Sequence, residues 1–240
     1  MIEARPASPR ARLLWAAGIT IASALFLALG TWQLYRMQWK QALIARVNAR
    51  AHAAPAAAPG RAEWPSITAE NAEYRHVQVA GTLLHDRSTL VQASTNYGLG
   101  FWVMTPLKTA AGDTILVNRG FIPTRQTPSA APQAALVTGL LRISEPGGSV
   151  VRKNDAAGQR WYSRDVQAIA AAGGLTQVAP YFIDADAAPA QEAGQPIGGL
   201  TVIAFRDNHL VYALTWYALA LMIIGRTWQI TRKKRQTGVE

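Results

Sequence analysis

The chain has 240 residues, a formal net charge of +10 and no cysteine. The lack of cysteine excludes disulfides and thiolate metal centres, and with them a cysteine-based copper chaperone. The charge does not call for a polyanionic partner: residues 35–208 hold 16 basic and 12 acidic residues, and the short remainders supply the other +6, an excess that reads as membrane topology and affinity for anionic lipid.

From Leu13 to Leu29 every residue except Thr20 and Ser23 is apolar or glycine, and the apolar character continues to Leu34 apart from Thr31 and Gln33. About 20 such residues cross a hydrocarbon core of roughly 30 Å, so 13–34 is expected to be a transmembrane helix. The run is longer than the apolar region of a cleavable signal peptide. Tyr35, Gln38, Trp39, Leu43, Arg46 and Val47 then recur at spacings of three and four, which predicts that the helix continues to about residue 50. Residues 51–65, AHAAPAAAPGRAEWP, read as a linker, with His52 solvated inside it.

Strand-like runs begin near Tyr74. Val77, Val79 and Leu83 alternate with polar positions, His85 and Asp86 offer a turn, and Ser88–Ala93 follows as a strand. The stretch 101–122 reads as a hairpin about Ala-Gly-Asp. Leu136–Ile143, Pro180–Asp184 and Thr201–Phe205 are further predicted strands. One helix is predicted over Ser163–Ala172, with Ser163 as its cap, Asp165 in its first turn and Gly173 and Gly174 at its end. Asp184 and Asp186 share one face of their strand, which could hold a cation, although two carboxylates at one edge read more readily as a solvated pair. The segment 35–208 is therefore expected to be one extracytoplasmic α+β domain, mainly antiparallel β, barrel-like or sandwich. Residues 209–228 form the second predicted span, capped by Asp207 or Asn208, and 229–240 form a basic tail.

Arg5, Arg10 and Arg12 precede the first span, and Arg226, Arg232, Lys233, Lys234 and Arg235 follow the apolar run of the second, which ends at Gly225. By the positive-inside rule both termini are then cytoplasmic. Only 12 residues precede the first apolar run, too few for a long presequence. The expectation is a bacterial inner membrane with the central domain in the periplasm.

Two constellations carry chemistry. His209, Tyr212 and Trp216 fall on one face of the second span, and Trp32, Arg36, Trp39 and Lys40 on one face of the first, with Gln33 beside it. An imidazole among aromatic rings, near cations that pair with carboxylates, suits haem at an interface. The same residues also suit an aromatic belt with snorkelling cations. The second constellation is Leu116–Pro123, LVNRGFIP, where Asn118 and Arg119 end a strand in a polar turn; Arg119 can clamp a carboxylate or anchor a loop. No hydrolase, phosphate-binding or dinucleotide signature is present, so no enzyme activity is expected.

The chain resembles the surfeit-locus family of cytochrome c oxidase assembly proteins. The resemblance rests on LGTWQLYRMQWK at 29–40, HVQVAGTLLHD at 76–86, GFWVMTPL at 100–107, LVNRGFIP at 116–123, Asn154, Trp161, Arg164 and Asp165, and NHLVYALTW at 208–216, all in family order. Phe121 stands where the family usually has tryptophan, and Asp207 where it often has asparagine. The resemblance implies an assembly factor that binds or delivers haem a to the catalytic subunit of the oxidase. It also implies His209 as the candidate iron ligand, with haem a synthase as a further partner alongside membrane lipid. The competing expectation is a scaffold for the nascent subunit or the synthase that binds no haem. A two-helix sensor is disfavoured by the short tail after Gly225.

Overall fold

The computed structural model describes residues 8–126, 131–149, 151–189, 194–203 and 208–236. In chain order its elements are α1 (Pro9–Ala51), β1 (Ala56–Ala57), α2 (Ala69–Ala72), β2 (His76–Leu83), β3 (Thr89–Thr95), β4 (Gly98–Lys108), β5 (Thr114–Ile122), β6 (Gln133–Ile143), α3 (Val166–Ala172), β7 (Val178–Ala185) and α4 (His209–Gln236). Two compact units result, a helical one built from the two ends of the chain and a sheet domain over 46–203.

In the helical unit, α1 and α4 are both long and apolar enough to cross a membrane. Their contacts run antiparallel. The Phe26 and Trp216 rings stack with centroids 5.6 Å apart, and the hydroxyls of Thr31 and Tyr217 share a 3.0 Å hydrogen bond. The seam is made of small residues: Ser23 and Gly30 on α1, Ala213 and Ala220 on α4, each pair seven apart and buried. Small side chains let helices approach where burial from water supplies no drive between them. Gly30 is required by the Tyr217 ring, since a Cβ there would lie 2.8 Å from its Cε1. Leu13, Ile21, Leu25, Leu214, Leu221 and Met222 face outward and exposed, as lipid-solvated side chains do. At 1.5 Å per residue, α1 is about 64 Å long, so it runs on as helix well past residue 34, as the periodicity predicts.

The sheet domain contains one seven-stranded sheet in the order β1-β2-β6-β7-β5-β4-β3. The pairs β1–β2 and β5–β7 are parallel and the others antiparallel. A two-residue contact, Thr82 with Lys108 and Leu83 with Leu107, also joins β2 to β4. The expected α+β domain with a mainly antiparallel sheet is observed, but as one mixed sheet with two parallel pairs and not as the expected barrel or sandwich. The parallel β5–β7 pair arises because β7 returns antiparallel to β6 and inserts between β6 and β5. Strand periodicity carries no information about direction.

Alternate residues of the central strands feed two cores. Ile115, Tyr181 and Ile183 pack with Val77 and Leu141, whereas Leu116 and Phe182 pack with Met104, Trp161, Val166 and Ile169. Both faces of β5 and β7 are thereby buried, which is why TILVNRGFI is nearly continuous in apolar residues. The predicted hairpin is observed as β4 and β5, closed where Thr109 N–H donates to the Asp113 carbonyl at 2.9 Å.

The predicted helix starts later than expected. Asp165, not Ser163, caps α3, its carboxylate accepting from Ala168 N–H at 3.1 Å. Ser163 is instead held by Asn154, whose Nδ2 donates to its Oγ at 3.0 Å. The 51–65 stretch is more ordered than a linker: Ala56–Ala57 pairs with Val77–Gln78, and Trp64 Nε1 donates to the Pro59 carbonyl at 3.1 Å. Residues 201–203 form no strand, and the rest of the predicted Thr201–Phe205 strand, with Asp207, lies outside the described residues, as does Arg5.

Candidate functional site

In the sheet domain the polar residues converge on Asp184, 4% exposed on β7. It accepts Asn118 Nδ2 at 2.7 Å, Arg142 Nη1 at 3.0 Å, Arg164 Nη1 at 3.1 Å and Thr201 Oγ1 at 2.8 Å. Arg142 also donates through Nε to Glu73 at 2.7 Å, and Arg164 through Nε to Glu145 at 3.1 Å. Burial works against the Arg142 charge, but Asp184 and Glu73 outweigh it and raise its proton affinity above the ordinary arginine value. The Arg164 guanidinium lies over the Phe182 ring, 4.8 Å from its centroid. A cavity of ≈ 250 Å³ opens beside this network, lined by Trp102, Asn118, Arg142, Arg164, Asp184 and Thr201 among others.

This arrangement corrects the reading of Asp184 and Asp186 as a solvated pair. Asp184 is the buried hub of two ion pairs, and Asp186 accepts from His76 Nε2 at 2.8 Å. Among the described residues no group of three His, Asp or Glu could hold a metal ion.

Asn118, Arg119 and Gly120 do not end a strand in a turn as expected but lie inside β5, at an irregularity in its pairing with β4, where they fasten a neighbouring segment. Asn118 Oδ1 accepts Gly120 N–H at 3.2 Å. Arg119 donates through Nη2 to Gln195 Oε1 at 2.9 Å and through Nη1 to His85 Nδ1 at 3.0 Å. Gly120 holds φ at +128°, and a Cβ there would sit 2.1 Å from the Ile197 carbonyl oxygen. Phe121 and Ile197 exchange both backbone hydrogen bonds at 2.9 Å. Of the two roles weighed for Arg119, these contacts with His85 and Gln195 suit the loop anchor.

Two histidines titrate in opposite senses. His76 loses proton affinity through burial, but bonds to Asp186 and to the Ala53 carbonyl outweigh this and raise its pKa above 6.5. Burial first, and then Arg119, push the His85 pKa below 6.5. A raised folded-state pKa gives stability that is present below 6.5 and lost as pH climbs through the folded value. A lowered one gives stability that is present above 6.5 and lost as pH falls toward the folded value. Denaturant unfolding from about pH 5 to 8, the range in which histidine titrates, should therefore show a loss on each side. His76→Gln should remove the alkaline loss and His85→Gln the acid one; unchanged profiles would contradict the two assignments.

In the helical unit, His209 is the first residue of α4, and its Nδ1 lies 2.8 Å from Gln33 Oε1 on α1. Trp216 lies two turns deeper and is stacked on Phe26. Tyr212 is one turn from His209 and exposed. On α1, Arg36 sits over the Trp39 ring at 5.0 Å, while Trp32, next to Gln33 in the chain, is about 100° around the helix from it and exposed. Lys40 lies one turn beyond Arg36. Sequence spacing identified His209; Gln33 entered that reading only as a neighbour of the charged face.

Two antiparallel helices long and apolar enough to cross a membrane, at the two ends of a chain whose middle is an α+β domain with a buried ion-pair network, define the architecture. A family model described as the SURF1 family matches residues 20–221. The chain is 36% identical over 224 residues to a SURF1-like protein of Monosiga brevicollis, covering 86% of this chain and 83% of that one. It is 35% identical over 214 residues to surfeit locus protein 1 of Mus musculus, covering 80% and 67%, and 34% identical over 218 residues to that of Homo sapiens, covering 80% and 69%. The chain belongs to the SURF1 family.

The relatives are eukaryotic proteins, which overturns the expected bacterial inner membrane with a periplasmic domain. That expectation rested on the short segment before Leu13, and segment length does not report a compartment.

Proposed function

We propose that this chain assists the assembly of cytochrome c oxidase by holding haem a transiently at the membrane boundary, with His209 as iron ligand, for transfer to the catalytic subunit. Family membership supports the assembly role. The haem reading is supported by one observation above others, the Nδ1 bond from His209 to Gln33. A hydrogen bond to one ring nitrogen fixes the orientation of an imidazole, as it does in histidine ligands. Tyr212 and Trp216 continue the same face into the membrane, Arg36 and Lys40 are cations of the type that pairs with propionates, and Trp32 adds an aromatic wall. Residues 13–34 and 209–228 are the membrane-embedded parts in this reading, and haem a synthase is the natural donor.

The alternative is a scaffold that stabilises the nascent subunit or the synthase without touching haem. Expression of His209→Ala in cells lacking this protein separates the two. Haem delivery predicts that catalytic subunit is still made but carries little haem a; full oxidase activity with the variant would leave only the scaffold.

A further inference from the structure

In the sheet domain a second cavity, of ≈ 390 Å³, opens beside β3, the last strand of the sheet. Separate stretches of chain line it: Arg87 and Thr89 at the start of β3, Arg125 after β5, Gln159 and Trp161, and Gly173 at the end of α3. Trp161 is 4% exposed, and its ring packs with Val91, Met104 and Phe182. Its carbonyl accepts Gln92 N–H at 2.8 Å, and Asn154 Oδ1 accepts the N–H of the next residue, Tyr162, at 2.8 Å, so the residue is held in place. Core packing accounts for the ring, and a phenylalanine would pack there as well. The indole Nε1 is left over: among the described residues it has no hydrogen-bond partner, yet it is not sealed in the core. It opens on the cavity that the residue lines. A buried indole N–H ordinarily finds an acceptor, so a fixed donor without one is the mark of a site awaiting an acceptor.

We propose that this cavity binds a carboxylate, either of a small organic acid or of an acidic side chain on a partner protein, with Trp161 Nε1 as the fixed donor and Arg87 and Arg125 as the paired cations. Arg125 is oriented by two contacts: its Nη2 donates to the Gln159 carbonyl at 2.7 Å, and its guanidinium lies over the Phe101 ring, 5.8 Å from the centroid. The rest of its fork is left to a ligand, and a guanidinium fork matches a carboxylate in the plane of both groups. Arg87 makes no ion pair among the described residues. The acid among the lining residues is Asp86, so the lining carries two guanidinium groups against one carboxylate. The balance of one positive charge matches a single carboxylate. A phosphate dianion would meet twice the repulsion from Asp86.

The test titrates the full chain, labelled with ¹⁵N at tryptophan and held in detergent, with succinate, a capped tripeptide of glutamate, and inorganic phosphate at constant ionic strength. The Trp161 indole resonance, identified by its loss in Trp161→Phe, should move downfield with succinate or with the tripeptide, and the tighter of the two names the source of the carboxylate. Arg87→Gln and Arg125→Gln should each weaken binding about 10-fold, the scale of one charge-assisted hydrogen bond. Trp161→Phe should weaken it by a similar factor in calorimetry, and the two arginine variants keep the test decisive if that variant does not fold. Arg61→Gln, whose side chain is paired with Asp113 outside the cavity, should leave the affinity unchanged. A resonance that no probe moves would overturn the proposal. So would phosphate binding as tightly as succinate, or carboxylate binding that both arginine variants retain in full. None of these readouts involves His209, so failure here leaves the haem proposal standing.

Discussion

Replacing Asp184 by alanine is expected to destabilise the sheet domain by about 3–5 kcal/mol, the cost of removing one partner from a buried charge pair. The carboxylate serves Arg142 and Arg164 together and takes two further hydrogen bonds, from Asn118 and Thr201. Its loss leaves two largely buried guanidinium groups, 15% and 14% exposed, relying on Glu73 and Glu145 alone. It also releases Thr201 from β7. Denaturant unfolding followed by tryptophan fluorescence measures the difference. Asp184→Asn keeps the shape and part of the hydrogen bonding, so it should fall between alanine and wild type. A loss below about 1 kcal/mol for the alanine variant, the scale of an exposed ion pair, would mean that the hub is solvated in solution.

Gly120→Ala should cost a similar amount, about 3–5 kcal/mol, for a different reason. The backbone there holds φ +128°, which L side chains rarely adopt, and the new methyl would collide with the Ile197 carbonyl at 2.1 Å. Neither term can relax without breaking the paired bonds between Phe121 and Ile197. The variant should therefore unfold at lower denaturant and also loosen the 195–201 segment, seen as faster amide exchange at Ile197. Gly174→Ala is the control: its φ is also positive, at +60°, but nothing lies within 4 Å of an added Cβ. Equal losses at the two positions would show that backbone strain alone, and not the contact with Ile197, sets the cost.

These two residues show what the sequence could and could not reveal. The strand–turn–strand of 101–122 was legible because alternating β-formers around Ala-Gly-Asp have few other structures open to them. The two long helices were legible because apolar runs of that length have one solvent that suits them. Asp184 was read as solvated because its partners, Glu73, Asn118, Arg142, Glu145, Arg164 and Thr201, are scattered over 128 positions of chain, and no local pattern announces a contact among them. The parallel β5–β7 pair was missed for the same reason. The Asn-Arg-Gly segment, expected as a turn and found inside β5, lay between these cases. Its local restriction was visible, but the segment that it fastens was not.

The family motifs gain a physical meaning from this. Asn118 and Arg164 meet at Asp184, Asp165 caps α3, Asn154 holds the Trp161–Ser163 turn through its side chain, and Gly120 admits Ile197. These residues build the domain. The resemblance in the membrane segments is of another kind, because Gln33 and His209 form a polar contact where an apolar pair would pack as well. That contact lies at the end of two membrane-length helices, where polar side chains meet the interface.

Haem content of the purified full-length protein tests this account most directly. After co-expression with haem a synthesis and purification in detergent, the wild type should show a Soret band with the spectrum of a histidine-ligated haem. His209→Ala should lose it while retaining the fold, and Gln33→Leu, which frees the ring to reorient, should weaken it. A colourless wild-type protein, or a band unchanged by His209→Ala, would contradict the assignment of His209 as the ligand.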